Sequence, residues 1–390
     1  MSKIVFFNIP AYGHTNPTLG VVRELTSRGH TVRYYSYERF RDKIESVGAE
    51  FIACDAYDNQ LHLSTEDAAK IGQNLTFSIK VLVRTALALD DAIMQDMLLY
   101  KPDCIVADSM AVWGKWIALK LGIPFISSTT TFAFNRYSAQ IMPKESGQLR
   151  QLLKAAIMNR TDLKALRRKG YPVRGVLSLI QNDNDTNTIV YTSKAFQPCA
   201  ETFSNKYSFV GAVLDHISLE QKPHKKKLIY ISMGTVNHNY PEFYQNCIEA
   251  FRNTDYLVVI SAGENTDLSV MQDIPKPIRI YASVNQLQIL QTADVFLTHC
   301  GMNSVSESLY YNVPMVMFPQ TSEQKGVAHR TFDIGAGIYL NDTTPESIFQ
   351  AVETVRNDTA YQSKAAYVGQ TLRESGGARK AADAILQAIK

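Results

Sequence analysis

Twice along its 390 residues the chain alternates short apolar, β-rich runs with helical segments. Residues 3–9 read as a strand, 17–28 as a helix through Leu19, Val22 and Leu25, and 31–36 as a second strand. Pro17 suits the first helical position and Gly29 the carboxyl cap. Strands over 103–107 and 123–127 follow, with a helix between them. The pattern restarts with a strand at 228–233, a helix at 240–253 and a strand at 256–261. A strand at 294–298, a helix at 302–311 and a strand at 314–318 come next, and helices run from about 345 to the end. Strands that alternate with helices build parallel sheets covered on both faces. The expected class is α/β, with two doubly wound domains. Residues 1–215 form the first and 228–377 the second. A polar, basic linker spans 216–227, and a last helix at 378–390 is placed to pack back on the first domain.

Bulk properties exclude several classes. A net charge of +3 is too mild for the basic stripe of a nucleic-acid binder. The five cysteines are scattered, lack a Cys-x-x-Cys pair and read as buried thiols of a reducing compartment. The opening MSKIVFFNIP is too short for a signal peptide, and no run approaches the length of a membrane span. The expectation is a cytoplasmic protein without stable membrane insertion.

Four places carry chemistry. His14 follows the first strand in YGHTNP, where an open parallel sheet collects ligands, and histidine exchanges protons near neutral pH. Without a partner, such a histidine is more often a hydrogen-bonding loop residue. Asp108 follows the strand at 103–107 at the same edge. It either caps the helix starting near Met110 or orients the His14 ring. The third place is His299, Cys300 and Gly301, before a helix with Asn303, Ser304 and Glu307. A helix N-terminus with a close-approach glycine suits phosphate, though an ordinary capped helix looks alike. The fourth is Glu323-Gln324, a carboxylate and an amide able to hold hydroxyls or simply to complement a helix dipole. No G-x-G-x-x-G after a strand, no Walker loop, no H-E-x-x-H and no G-x-S-x-G is present. Asp183-Asn184-Asp185 imitates a metal-binding Asp-x-Asp within a polar loop.

With those residues in view, the chain resembles the UDP-glycosyltransferase superfamily, in particular its bacterial macrolide- and flavonoid-modifying branch. The similarity lies in GHTNP at 13–17, VADSMAVWG at 106–114, SMGTV at 232–236 and, above all, NQLQILQTADVFLTHCGMNSVSESLYYNVPMVMFPQTSEQ at 285–324. It implies a GT-B fold, two Rossmann-like domains facing a central cleft, and inverting transfer, most simply of glucose, from a UDP-sugar. The acceptor would be a hydroxyl on a small apolar natural product. No metal or cofactor is implied. Residue by residue, it makes His14 the base and Asp108 its orienter. Thr235, Ser283, Val284, Gln286, His299, Gly301, Asn303, Ser304, Glu307, Glu323 and Gln324 would hold the donor. Gln286 would lie at the uracil edge and Glu307 at the ribose. Met110, Trp113, Phe132 and Phe134 are acceptor-side candidates that fit a core equally well. One departure stands out: many relatives carry Trp-x-Pro-Gln, with the ring on uracil, where this chain has Ser283-Val284-Asn285-Gln286.

Residues 144–174 hold nine lysines and arginines against few acids, with Leu149, Leu152, Leu153 and Ile157 able to line one helix face. A solvated basic face is the expectation, and contact with an anionic membrane surface the alternative. Two other readings of the whole chain stay open. One is a GT-B transferase acting on a lipid or cell-wall precursor; the other is a nucleotide-sugar-binding protein without activity.

Overall fold

The computed structural model describes residues 1–54, 74–141, 148–180, 182, 184–214, 227–234, 240–264, 266–271 and 273–389. The linker expected at 216–227, apart from Lys227, lies outside the described residues, as do Thr235 and Asp183. The chain divides into two compact units. One comprises Met1–Val213 with Ser375–Lys390, the other Leu214–Glu374.

The first unit is built on β1 (Lys3–Phe7), β2 (Thr31–Ser36), β3 (Glu50–Ala53), β4 (Cys104–Asp108), β5 (Phe125–Thr129), β6 (Thr188–Val190) and β7 (Tyr207–Phe209). All are parallel, in the order β3-β2-β1-β4-β5-β6-β7, so the order reverses between β1 and β4. The helices that cover this sheet include α1 (Tyr12–Ser27), α2 (Leu75–Tyr100) and α3 (Val112–Leu121), followed by α4 (Gln148–Met158) and α5 (Arg160–Arg168). The central strands are buried through Ile4, Val5, Phe6, Phe7 and Cys104 to Ala107, as a sheet covered on both faces demands.

The helix expected at 17–28 starts five residues earlier, at Tyr12, and Pro17 lies inside it. Pro17 is the sixth helical residue, and the residue four before it is Gly13. A proline this close to an N-terminus removes a hydrogen bond only from the first turns, where the cost is lowest. His14 therefore belongs to the first helical turn rather than to a preceding loop. The carboxyl end is as the sequence indicates: Gly29 follows the helix with φ +83°.

The second unit carries β8 (Leu228–Ser232), β9 (Leu257–Ser261), β10 (Ile278–Tyr281), β11 (Val295–Thr298), β12 (Met315–Met317) and β13 (Gly337–Tyr339). They form a parallel sheet in the order β10-β9-β8-β11-β12-β13, reversing between β8 and β11. Its helices are α6 (Pro241–Phe251), α7 (Gln286–Leu290), α8 (Met302–Tyr310), α9 (Ser322–Asp333), α10 (Pro345–Asn357) and α11 (Thr359–Glu374). Ile229, Ile231, Val258, Ile260, Val295 and Leu297 face a core completed by Phe243, Ile248, Phe251, Ile348 and Val352.

The last helix, α12 (Gly377–Ile389), belongs to the first unit, where Ala381, Ala382 and Ile385 are buried. Arg28 pairs with Asp383 at 2.5 Å, and Lys380 Nζ donates to the Phe209 carbonyl at 2.8 Å. No helix among the described residues is long and apolar enough to cross a membrane.

Candidate active site

In a doubly wound sheet, ligands collect at the carboxyl edge where the strand order reverses. In the first unit that point lies between β1 and β4. The chain leaving β1 enters α1, whose third residue is His14, and β4 ends on Asp108. His14 Nδ1 lies 2.6 Å from Asp108 Oδ2, with Thr130 Oγ1 at 3.1 Å from the same nitrogen. Asn8 Nδ2 donates to the His14 carbonyl at 2.8 Å and ties down the turn that carries the ring.

The two oxygens of Asp108 serve different partners, and the helix-cap reading is not met. Its Oδ1 accepts the Met110 N–H at 2.7 Å, while Oδ2 faces His14. The helix that follows begins at Val112, capped from Ala111, so Asp108 closes the turn before it instead of capping it. Its side chain is fully buried, whereas His14 keeps 20% of its side chain exposed. A carboxylate accepts only, so Nδ1 carries the hydrogen and Nε2 holds the ring's lone pair. That is the tautomer of a general base, with a buried carboxylate behind it to stabilise the imidazolium.

The acceptor-side candidates scatter. Met110 is half-buried beside the pair, and Trp113 and Phe132 are core residues, Phe132 packed edge-on against Phe196. Phe134 is exposed and lines an open cavity of about 640 Å³ with Asn135, Arg136, Tyr137, Asn182, Asn184, Thr202 and Tyr207. Tyr207 opens β7, Asn182 and Asn184 precede β6, and Phe134–Tyr137 follow β5.

In the second unit the reversal lies between β8 and β11. Gly234 follows β8 with φ +83°, and His299 follows β11. A Cβ on Gly234 would come within 2.5 Å of His299 Nε2, and one on Gly301 within 2.7 Å of the same atom. Two glycines thus clear the space in which the His299 ring stands. Gly301 is the N-cap of α8, and Cys300 before it adopts φ +66°, a left-handed turn that aims the helix N-terminus. The first N–H groups of α8 and its positive dipole end suit an anion.

One turn further along α8, Glu307 meets Gln286, the first residue of α7. Gln286 Nε2 donates to Glu307 Oε2 at 2.5 Å and lies 3.4 Å from Ser304 Oγ, while its Oε1 accepts from the Tyr230 hydroxyl at 3.1 Å. Asn285 caps α7, and Ser283 just before it is exposed. Burial pushes the Glu307 carboxyl up to about 7, against the opposing pull of the Gln286 amide. Glu323 is exposed in the first turn of α9, and the Gln324 Oε1 accepts from the Thr321 and Gln320 N–H groups in a capping box. Among the described residues no group of three or more histidine, cysteine or acidic side chains is placed to hold a metal ion.

Comparison with known proteins gives the family. The erythromycin biosynthesis protein CIII-like C-terminal domain family matches residues 245–380. The NDP-glycosyltransferase YjiC of Bacillus subtilis (strain 168) is 34% identical over 391 residues, spanning 97% of this chain and 95% of its own. The chain belongs to the GT-B glycosyltransferase superfamily. An uncharacterized UDP-glucosyltransferase of the same organism, YojK, is 31% identical over 100% of this chain and 98% of its own. The crystal structure of CalG4, the calicheamicin glycosyltransferase, superposes with a TM-score of 0.80 at 26% identity, covering 100% of this chain and 98% of that one.

Glu307 offers a test of its own. A raised carboxyl favours the protonated form in the folded protein, so its contribution to folding is largest below the usual carboxylate range and fades as pH rises through about 7. Were Glu307 to accept from two donor hydroxyls it would need the opposite state, because only the carboxylate accepts from both. We expect affinity for UDP-glucose, whose diester phosphates keep constant charge here, to rise about tenfold between pH 6 and pH 8. Glu307→Gln should flatten that profile. Calorimetry at both pH values checks it; a flat wild-type profile would remove Glu307 from donor binding.

Proposed function

We propose that this glycosyltransferase moves glucose from UDP-glucose to a hydroxyl of a small apolar acceptor, with inversion at the anomeric carbon. The observation that carries the reading is the His14–Asp108 pair at the switch point of the first unit. His14 Nε2 takes the hydroxyl proton as the acceptor oxygen forms its bond to the anomeric carbon. The bond from that carbon to the β-phosphate oxygen breaks on the opposite face, and UDP leaves with the electron pair. An α-linked donor then yields a β-glycoside, and the imidazolium returns its proton to solvent. In this reading the departing charge meets the α8 N-terminus and His299 rather than a metal ion.

The relatives support the substrate classes. One is named for UDP-glucose, one for nucleoside diphosphates generally, and the solved neighbour for calicheamicin, a natural product. The deciding experiment is an acceptor panel of phenols and macrolides with UDP-glucose and excess EDTA, read by mass spectrometry. Hexose adducts with anomeric inversion support the proposal. Retained configuration, or no adduct with any acceptor, overturns it.

The exposed Ser283 bears on nucleotide choice. Base–aromatic stacking is worth about 1–3 kcal/mol where it has been measured in nucleic-acid complexes. Without a tryptophan there, TDP-glucose should serve as a donor alongside UDP-glucose. Ser283→Trp should tighten UDP binding by roughly fivefold or more. Titration calorimetry decides, and unchanged binding would mean that another ring covers the base. Tyr281, 42% exposed at the end of β10, is the ring nearest in sequence.

A further inference from the structure

Helices α4 and α5 carry none of the candidate site residues, and α4 presents an outward face. Ala155 and Asn159 hold α4 against the unit: both are buried, and Asn159 Nδ2 donates to the Thr76 carbonyl of α2 at 3.1 Å. At 3.6 residues per turn, Leu153, Ile157, Arg150, Lys154 and Met158 then fall within roughly 140° of arc on the opposite side. All five are exposed, Leu153 at 58%, Ile157 at 71% and Met158 at 67%. Leu153 and Ile157 share this outward face because the tight approach of α4 to α2 goes to the smaller Ala155.

Charge along the two helices is one-sided. Residues 148–168 carry Arg150, Lys154, Arg160, Lys164, Arg167 and Arg168 against the single acid Asp162, which faces Arg84 at 3.5 Å. Arg167 is spent on the carbonyls of Val173 and Arg174. Arg150, Lys154, Arg160, Lys164 and Arg168 are exposed and form no ion pair among the described residues.

We infer that α4 and α5 form a docking face for an anionic lipid surface. Exposed aliphatic side chains among unpaired cations match a bilayer interface, where the chains enter the acyl boundary and the cations meet the headgroups. A second copy of the chain would bring like charges together. A single-stranded nucleic acid would be met by no aromatic ring, since 148–168 contain none. With three apolar side chains the contact is reversible and salt-sensitive. The inference stands on α4 and α5 alone and does not depend on the proposed reaction.

The test is co-flotation of the full chain with vesicles of phosphatidylcholine alone or of phosphatidylcholine with phosphatidylglycerol, at low and physiological salt. Flotation is expected with the phosphatidylglycerol vesicles and should decline as salt rises. R150E/K154E should lower the partition coefficient by about tenfold or more. L153S/I157S should lower it with the melting temperature unchanged, since both side chains already face water. Equal partition on the two vesicle types, or variants that float like the wild type, overturns the inference. So does retention on a single-stranded oligonucleotide, lost in R150E/K154E, without any flotation.

Discussion

His14→Ala is expected to lower turnover with UDP-glucose by at least about 100-fold, the lower bound for a general base. Nucleotide affinity should be unchanged. The two effects separate because the ring sits in the first unit, on α1, while Gln286, His299 and Glu307 all belong to the second. Nδ1 of the ring meets Asp108 and Thr130, and Nε2 is the nitrogen whose loss removes the base. Alanine suits the first turn of a helix, so α1 should persist. Leaving the buried Asp108 without its ring partner should cost about 1–3 kcal/mol of stability, read as a lower melting temperature. Single-turnover rates and UDP calorimetry on the same preparation decide. A variant that keeps more than about a tenth of wild-type turnover contradicts the assignment.

How far the sequence led differs between the two units for a physical reason. The candidate site of the second unit is written in one stretch, 285–324, so His299, Gly301, Ser304 and Glu307 are legible together. What escaped is the contact that completes it. Gly234 clears space for His299 from 65 residues away, and Gln286 turns out to bond Glu307 across 21 residues. Glu307 thereby acquires a neighbour that only the packing of α7 against α8 supplies. In the first unit, β6 and β7 have three residues each, too few for an alternation to show, and both went unread. Thr130 was equally silent, because nothing in its local sequence distinguishes it from Thr129 or Thr131. The start of α1 was misplaced because proline is a strong signal for a first helical position, and here the Asn8 bond to the His14 carbonyl helps to hold a helix begun five residues earlier. That shift matters chemically, since it places the His14 ring on a rigid turn.

Asp108→Asn should be nearly as damaging as the loss of His14 itself, although the two side chains are almost the same shape. Oδ1 must still accept the Met110 N–H, which fixes how the amide is turned. The NH₂ group then takes the place of Oδ2 and donates toward His14 Nδ1. The ring can accept that bond only by moving its hydrogen to Nε2, which removes the lone pair needed for the acceptor proton. Behind the histidine of a serine protease the same carboxylate-to-amide change costs about 10⁴ in turnover. With Thr130 Oγ1 also at Nδ1 to offer an alternative partner, we expect a loss of about 10²–10⁴ here. Asp108→Ala provides the contrast. It abandons the Met110 N–H and should melt earlier, yet it imposes no tautomer on His14. If Asp108 sets the tautomer, Asn is at least as slow as Ala while remaining the more stable protein. A purely structural role for Asp108 predicts the reverse order of activities, with Asn close to wild type. Turnover and melting temperature measured for both variants distinguish the two, with UDP binding as the control that the second unit is untouched.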